Sequence, residues 1–159
     1  MTLHIRPATI ADSELILRFI TELAVYEKAG DQVAATVDTI GASLFGPGTP
    51  ARALICEADG VAVGFAVYFF NYSTWQAKKG LYLEDLYVSP ASRGRGAGKA
   101  LLRHLAAIAV EQDCGRFEWS VLDWNQPAID FYLSIGALPQ DEWVRYRMHG
   151  AALRDFAAG

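Results

Sequence analysis

The sequence has 159 residues, 52% of them apolar, and its 14 Lys and Arg residues against 18 Asp and Glu residues give a formal net charge of −4 at pH 7. This length suits one domain, which we expect to span residues 1–159 and to fold without a metal or a disulfide. The negative charge argues against a general nucleic-acid-binding protein, because such a protein needs a basic surface. Two isolated cysteines, Cys56 and Cys114, lack partners at ligand spacing; this argues against a zinc module, and we expect no metal site.

The start of the chain and its apolar runs predict neither a signal peptide nor a membrane helix. Arg6 interrupts the first apolar stretch, which a signal peptide would keep apolar. The longest apolar run covers residues 61–70, about half of the roughly 20 residues that a membrane helix needs. We therefore expect a soluble, cytoplasmic protein that does not bind membranes.

The first half of the chain carries two clear local signals. Thr9 and Asp12 have the spacing of a capping box ahead of an apolar stripe at helical spacing. Asp59-Gly60 between two apolar runs is a strong hairpin signal. The elements predicted here are a strand over 3–6, a helix reaching about residue 28, a weaker helix over 33–45, strands over 52–57 and 61–70, a polar connection over 71–80, and a strand over 81–88 that ends at Ser89-Pro90.

The second half is divided by glycine and proline. A glycine-rich loop over 93–98 leads into an amphipathic helix that ends at Gly115. Asn125 opens a further helix, with Pro127 in its first turn and Gly136 at its end. Strands are predicted over 117–122 and 143–148. The order β-α-α-β-β-β-α-β-α-β predicts a mixed α/β (α+β) sheet that is mostly antiparallel in its first part.

The glycine-rich loop has the chemistry of a phosphate-binding turn. Its pattern is Arg93-x-x-Gly96-x-Gly98 between a strand and a helix, so backbone N–H groups and the positive end of the helix dipole can face one anion. Arg93, Arg95 and Lys99 add positive charge. The loop has neither the Gly-Lys-Ser/Thr of a Walker motif nor the glycine spacing of a dinucleotide-binding fingerprint. Taken alone, it is equally consistent with a flexible basic loop.

A second pattern joins Asn125 to Tyr132. The two residues are seven apart, close to two helical turns, so both side chains are expected on one face of the helix. A phenol there can donate a proton. Spacing alone favours the alternative, in which Tyr132 and Phe131 are core aromatics in a helix capped by Asn125.

Together these patterns resemble the GCN5-related N-acetyltransferase (GNAT) superfamily over nearly the whole chain, and in particular its diamine (spermidine/spermine) and thialysine N-acetyltransferases. The stretches that carry the subfamily resemblance are residues 5–9, 22–24 with 26–27, 64–66, 82–85, and Trp124-Asn125-x-Pro127 with Phe131-Tyr132. The resemblance implies a mixed central sheet of about six to seven strands flanked by about four helices. It also implies a bulged, splayed central strand, because a bulge re-aims side chains and opens the sheet for the cofactor.

The resemblance implies acetyl-CoA as co-substrate and assigns its contacts. The backbone of the strand end is expected to bind the pantetheine arm and polarise the thioester carbonyl, the glycine-rich loop to hold the pyrophosphate, and the next helix start to touch the pantetheine. The residues concerned are Leu86, Tyr87 and Val88; Arg93, Gly94, Arg95, Gly96, Ala97, Gly98 and Lys99; and Asn125, Gln126, Pro127 and Ala128. Tyr132 is expected to protonate the departing thiolate.

The acceptor side is expected to be acidic. The attacking amine must first lose a proton. Glu84 is the candidate base that accepts this proton through a water molecule. The residues expected to hold the amine are Tyr26, Glu27, Glu84, Asp85, Trp75 and Glu142, since carboxylates attract a cationic substrate. Alternatively, Glu27 and Glu142 are solvated surface carboxylates without a function. Because neighbouring residues of a regular strand face opposite ways, Glu84 is expected to face the amine and Asp85 does so only with the help of a bulge.

One departure from the subfamily concerns the length of the substrate. Ser73 stands where the polyamine enzymes carry an acidic residue. Losing one anion weakens the binding of a long polyamine more than that of a short amine, so we expect a diamine, thialysine, lysine or an ornithine-like amino acid.

The sequence therefore predicts an N-acetyltransferase that works by direct transfer in a ternary complex on a small primary amine. The resemblance also implies a homodimer. Two alternatives stay open: a GNAT enzyme for another acceptor, such as a peptide N-terminus or an antibiotic amine, and an acetyl-CoA-binding sensor without turnover. Tyr132 favours an enzyme, because a sensor needs no acid for a leaving group.

Overall fold

The computed structural model describes residues 1–159, and the chain divides into two compact units, residues 1–120 and residues 121–159. The first unit contains β1 (Leu3–Pro7), α1 (Ser13–Tyr26), α2 (Val37–Phe45), β2 (Arg52–Ala58), β3 (Val61–Ser73), β4 (Lys78–Val88), α3 (Ala97–Glu111) and β5 (Phe117–Trp119). The second unit contains α4 (Gln126–Ser134) and α5 (Gly150–Ala158). No helix has both the length and the apolar character needed to cross a membrane.

The first unit is built on a five-stranded sheet in the order β1-β2-β3-β4-β5. Pairs β1–β2, β2–β3 and β3–β4 are antiparallel, and β4–β5 is parallel. The hairpin predicted at Asp59-Gly60 is confirmed. Both residues have positive φ, 50° and 82°, as the favoured two-residue hairpin turn requires.

Helices cover both faces of this sheet. On one face, α1 and α2 bury Ile16, Phe19 and Ile40 against Phe65 and residues that include Val67 and Tyr87. The Phe19 and Phe65 rings lie 5.6 Å apart, centroid to centroid. On the other face α3 packs against β1, β3 and β4 through its buried leucines, Leu101, Leu102 and Leu105. Each fully buried side chain of this kind contributes about 1.5–3 kcal/mol, so this core fixes the positions of α1 and α3 relative to β4.

A charged network fastens β1 to the start of α1. Arg6 donates two hydrogen bonds to Asp12, at 2.8 and 3.0 Å, and one to Glu57 at 2.8 Å. Asp12 also accepts the Thr9 backbone N–H at 2.7 Å, so the capping-box prediction is confirmed, on a short 3₁₀ turn over Ile10–Asp12 just before α1. The hydrogen bonds from Arg6 hold the pKa of Asp12 below its ordinary value, and they do the same to Glu57.

Several predicted element bounds are wrong. The connection predicted over 71–80 is mostly strand, because the β3–β4 ladder continues to Ser73↔Lys78 with polar side chains on it. The weaker helix begins at Val37, where Thr36 caps it. The helix from the capping box ends at Tyr26 rather than at about residue 28.

The strand count is lower than predicted and the helix count is higher. There are five strands instead of six to seven, and five helices instead of about four. The strand predicted over 117–122 stops at Trp119, and residues 143–148 form no strand. Apolar alternation is not enough for a strand, because its backbone groups also need a paired neighbour. The helix α5 had no predicted counterpart.

Candidate active site

The central feature of the site is a β-bulge at Glu84. Val67 pairs with Asp85 and Tyr68 pairs with Leu83, so Glu84 is an extra residue with no partner on β3. The predicted bulge in the central strand is thereby confirmed. Beside it, the pairing of β4 with β5 ends at Leu83–Trp119, although β4 runs on to Val88. The strand end predicted to bind pantetheine therefore extends beyond the last residue that pairs with β5.

The bulge decides which way the acidic pair faces. Residues directly opposite each other in an antiparallel pair project to the same face of the sheet, so Asp85 projects with Val67, on the face that α1 covers. Leu83 projects with Tyr68 to the opposite face. In a regular strand Leu83 and Asp85 would share one face, and the extra residue, Glu84, removes that relation. Glu84 itself is exposed, whereas Asp85 is partly buried.

Three carboxylates gather at this point. Glu27 directly follows the last residue of α1 and is partly buried. Burial, followed by the charges of Glu84 and Glu27, raises the pKa of Asp85 from an ordinary 3.8 to about 6. Burial also raises the pKa of Glu27. Glu27, Glu84 and Asp85 therefore lie near enough for the charges of the first two to act on the third, and this arrangement suits a cationic ligand, which would relieve the repulsion among them.

The glycine-rich loop forms an open turn at the start of α3. Gly94 and Gly96 have φ values of 74° and 86°, a region that side chains with a Cβ rarely adopt. A Cβ at either position would meet no protein atom within 4 Å. These glycines are therefore needed for the positive φ and not for lack of space, and the space beside the turn is open. Gly96, the N-cap of α3, has no side chain that could accept a hydrogen bond from the first N–H groups of the helix. With Arg95 and Lys99 exposed nearby, this turn fits a diphosphate group.

The side chain of Arg93 contacts the end of β4 and the end of α1. Its Nε donates a hydrogen bond of 2.9 Å to the carbonyl oxygen of Val88. Its guanidinium carbon lies 5.1 Å from the ring centre of Tyr26 and 5.5 Å from that of Tyr87. Arg93 therefore connects the end of β4 with the end of α1.

Tyr87 and Glu22 add an element that sequence reasoning missed. The Tyr87 side chain lies in the core, and burial followed by a hydrogen bond with Glu22 raises the pKa of its hydroxyl. Glu22 stands four residues before Tyr26 on α1 and so lies on the same side of the helix; that spacing was the available signal. These residues border an open groove lined by Thr21, Glu22, Val25, Tyr26, Tyr87, Ser89, Pro90 and Ala91.

Trp75 and Ser73 lie at the opposite end of the β3–β4 hairpin. Trp75 is 80% exposed, with the guanidinium of Arg116 6.0 Å from its ring centre. The Ser73 hydroxyl accepts the Gln76 backbone N–H at 3.3 Å, within the turn. At about 3.3 Å per strand residue, this turn is about 20 Å from Asp85. Within the first unit, Ser73 and Trp75 therefore do not lie near the acidic cluster.

The remaining predicted residues belong to the second unit. Asn125 is the N-cap of α4, Gln126, Pro127 and Ala128 form its first turn, and Tyr132 lies two turns on. The rings of Phe131 and Tyr132 have centroids 6.0 Å apart. Gly136 follows the helix with a φ of 89°, so the predicted helix ends are confirmed. Glu142 is exposed in the irregular stretch between α4 and α5.

A family model and the curated relatives identify the family of this chain. The family model described as "Acetyltransferase (GNAT) family" matches residues 23–137. The thialysine N-epsilon-acetyltransferase of Sus scrofa is 39% identical over 96% of both chains. An L-ornithine N5-acetyltransferase of Arabidopsis thaliana is 44% identical over 60% of this chain, which spans 42% of the plant protein. Among solved structures, an integron cassette protein of Vibrio cholerae has a TM-score of 0.83 at 29% identity, covering 100% of this chain and 99% of that one.

Proposed function

Because the chain belongs to the GNAT family of acetyltransferases, we propose that it transfers the acetyl group of acetyl-CoA to a primary amine of a small cationic molecule. The observation that carries the choice of acceptor is the group of three carboxylates, Glu27, Glu84 and Asp85, at the bulge of β4. The names of the relatives, which include thialysine and ornithine acetyltransferases, support the same substrate class.

The co-substrate is proposed to bind along β4 and the glycine-rich turn. Backbone N–H groups of residues 94–99, with the side chains of Arg95 and Lys99, hold the diphosphate. The end of β4, Leu86 to Val88, accepts the pantetheine arm as an added strand, and its N–H groups polarise the thioester carbonyl. Asn125, Gln126, Pro127 and Ala128 are proposed to contact the same arm. The open turn and the early end of the β4–β5 pairing support this mode of binding.

The proposed reaction is direct transfer without a covalent enzyme intermediate. The neutral amine nitrogen attacks the thioester carbon, and the carbonyl oxygen takes the electron pair as the tetrahedral intermediate forms. Collapse of the intermediate breaks the C–S bond. Tyr132 is proposed to protonate the departing thiolate, and the proton lost by the amine passes through water to Glu84.

Asp85 is a second candidate for the group that receives the proton. Its pKa of about 6 is closer to neutral pH than that of an ordinary carboxyl, and proton acceptors are most effective when their pKa lies near the working pH. Glu84 is the more exposed of the two and sits at the bulge itself. Substitution of each in turn therefore assigns the roles of base and of cation-binding group.

The distance along the hairpin places Ser73 too far from the acidic cluster of the same unit to select for the length of the acceptor, so the short acceptor is proposed from the substrates named for the relatives. Ser73 and Trp75 lie about 20 Å from Asp85 within the first unit, so neither contacts a small amine bound at the acidic cluster of the same unit. Ser73 also has a local partner in its own turn. A cytoplasmic location and a homodimer belong to the same proposal and are supported by the family resemblance.

The experiment that tests the proposal measures CoA release from acetyl-CoA with putrescine, spermidine, spermine, thialysine, lysine, ornithine and a short peptide. We expect turnover with the short cationic amines and a clear preference for one of them. Turnover of the peptide alone would contradict the assigned substrate class, and a wide preference for spermine would contradict the short acceptor. Binding of acetyl-CoA without turnover of any amine would remove the proposed function.

A further inference from the structure

An aromatic pair lies beside the acidic cluster on the same face of the sheet. Phe69 on β3 pairs with Tyr82 on β4, and this pair is two residues along β3 from the pair Val67–Asp85. Because side chains alternate along a strand, Phe69 projects with Val67, on the face that α1 covers. Residues directly opposite each other share a face, so Tyr82 and Asp85 lie on this face as well.

The bulge at Glu84 brings the phenol ring of Tyr82 and the carboxyl group of Asp85 to one side of β4. The two residues are three apart, and in a regular strand such residues project to opposite faces. The extra residue, Glu84, shifts the alternation by one position and so places both side chains on the same face. The two cross-strand pairs are separated by two residue steps, about 7 Å, which a few methylene groups can span.

The rings of Phe69 and Tyr82 form a continuous apolar surface, which we call the aromatic wall. Their centroids lie 5.2 Å apart, with an angle of 37° between the ring planes. The Tyr82 hydroxyl shares a hydrogen bond of 2.9 Å with that of Ser120, which helps to fix the ring. Both rings are only partly buried, and the core beneath α1 and α2 includes Val67 and Tyr87 but neither ring of the wall. Part of the apolar surface is therefore accessible beside the carboxylates.

A group of carboxylates next to an apolar surface matches the two parts of an alkylamine. The ammonium group is attracted by the carboxylates of Glu27, Glu84 and Asp85. The methylene chain gains free energy when an apolar surface removes it from water. Carboxylates alone would attract any small cation, whereas the aromatic wall adds a preference for a cation whose carbon chain covers the rings.

We propose that the carbon chain of the acceptor packs against Phe69 and Tyr82, and that these two residues select for its length. The inference rests on the proposed function, whose acceptor site it extends toward the β3–β4 turn. Its consequence is that kcat/KM rises with each methylene group between the two nitrogens of a short diamine, and that this rise depends on the two rings.

The test measures kcat/KM for 1,3-diaminopropane, 1,4-diaminobutane and 1,5-diaminopentane, which carry the same two charges and differ only in their methylene groups. For the unaltered enzyme we expect a rise of about twofold to fourfold for each added methylene, the effect of removing one such group from water. Phe69→Ala should make the three values nearly equal. Because the three amines are compared within one variant, a smaller folded fraction cancels from the ratios.

Phe70→Ala is the matched control. Phe70 is the next residue of β3 and is also partly buried, but it projects to the opposite face, where its ring stands edge-on to that of Tyr68 at 6.1 Å. We expect Phe70→Ala to keep the dependence on chain length. Tyr82→Phe, which removes the hydroxyl and keeps the ring, should keep it too, whereas Tyr82→Ala should lose it. Tyr82→Ala also carries the test if Phe69→Ala does not fold.

The remaining outcomes distinguish this inference from the proposed function. If the unaltered enzyme acetylates the diamines without a dependence on chain length, or if Phe69→Ala and Tyr82→Ala keep that dependence, the inference is overturned and the function stands. Loss of the dependence in Phe70→Ala as well would overturn it, because the effect would then not belong to one face. If the unaltered enzyme acetylates none of the amines, the proposed function fails, and the inference falls with it.

A comparison with pentylamine separates the carbon chain from the ammonium group, because aromatic rings can also attract a cation. We expect Phe69→Ala to lower kcat/KM for pentylamine and for 1,5-diaminopentane by a similar factor, since both have the same chain. A loss confined to 1,5-diaminopentane would show that the rings bind the second ammonium group instead, and would overturn the inference.

Discussion

Val67 on β3 pairs directly with Asp85 on β4, while the preceding pair is Tyr68 with Leu83, so Glu84 has no residue opposite it. This single unpaired residue turns Asp85 toward α1 and Glu27. It is placed where the β4–β5 pairing stops. The acidic cluster thus lies beside the start of the strand end at which the co-substrate is proposed to bind.

Asp85→Asn should stabilise the fold at neutral pH and not in acid. The folded-state pKa of Asp85 is raised to about 6, so its stabilising contribution as the protonated acid is complete below an ordinary pKa of about 4 and is lost as pH rises through 6. We expect the free energy of unfolding of Asp85→Asn to exceed that of the unaltered protein by about 2–3 kcal/mol at pH 7. Urea unfolding at pH 4, 5, 6 and 7 measures this, and a difference independent of pH would contradict it.

Asp12→Asn should behave in the opposite way. The hydrogen bonds from Arg6 lower the pKa of Asp12, so its contribution is present above the ordinary pKa of an aspartate and is lost as pH falls through the lowered value. We expect a cost of about 1–3 kcal/mol at pH 7, since a part-buried, charge-assisted pair is broken. The same urea series shows whether the deficit narrows in acid. A deficit of constant size from pH 7 to pH 3 would count against the ion pair as its source.

Gly96→Ala should damage the glycine-rich turn, and Gly98→Ala provides the matched control. Gly96 has a φ of 86°, and a Cβ there costs about 1–2 kcal/mol because of the left-handed backbone. A Cβ at Gly98, inside α3, would meet side-chain atoms of Leu86 and Val88 at an ordinary 3.9 Å. We expect loss of stability and weaker acetyl-CoA binding in Gly96→Ala, and a neutral or slightly higher stability in Gly98→Ala. Calorimetric titration with acetyl-CoA and thermal unfolding measure these effects; equal stabilities in the two variants would show that the turn does not need the positive φ.

Tyr132→Phe tests the proposed leaving-group acid. It removes the hydroxyl and keeps the ring, so the packing with Phe131 should persist. We expect kcat to fall by about 10²–10⁴-fold, with the Kd for acetyl-CoA nearly unchanged. Steady-state kinetics and calorimetric titration measure the two quantities. Unchanged kcat would remove Tyr132 from the mechanism.

The parts of the fold that were predicted correctly depend on local chemistry. Asp59-Gly60 defines the turn between β2 and β3, and Asn125 with Gly136 encloses α4. Such signals work because the conformation of a turn or a helix end is decided within a few residues. The bulge was expected from the family resemblance, and its position at Glu84 became visible only in the pairing of β3 with β4, because register depends on two strands at once.

The features that were not predicted correctly depend on residues that are distant in sequence. Residues 143–148 alternate like a strand, but they form no ladder. The contacts of Arg93 with Val88, Tyr87 and Tyr26 were not predicted either, because these three residues lie outside its basic, glycine-rich stretch. A long, flexible side chain can reach several neighbours, so sequence spacing does not decide its direction.

The central claim is that the acidic cluster recognises an amine that carries a second positive charge. The most direct test compares 1,5-diaminopentane with pentylamine, which has the same chain length and lacks the second ammonium, as acceptors for the unaltered enzyme with acetyl-CoA. We predict a kcat/KM at least about tenfold higher for the diamine, decreasing as salt screens the carboxylates. Equal values for the two amines, or a preference for pentylamine at low salt, would contradict the account.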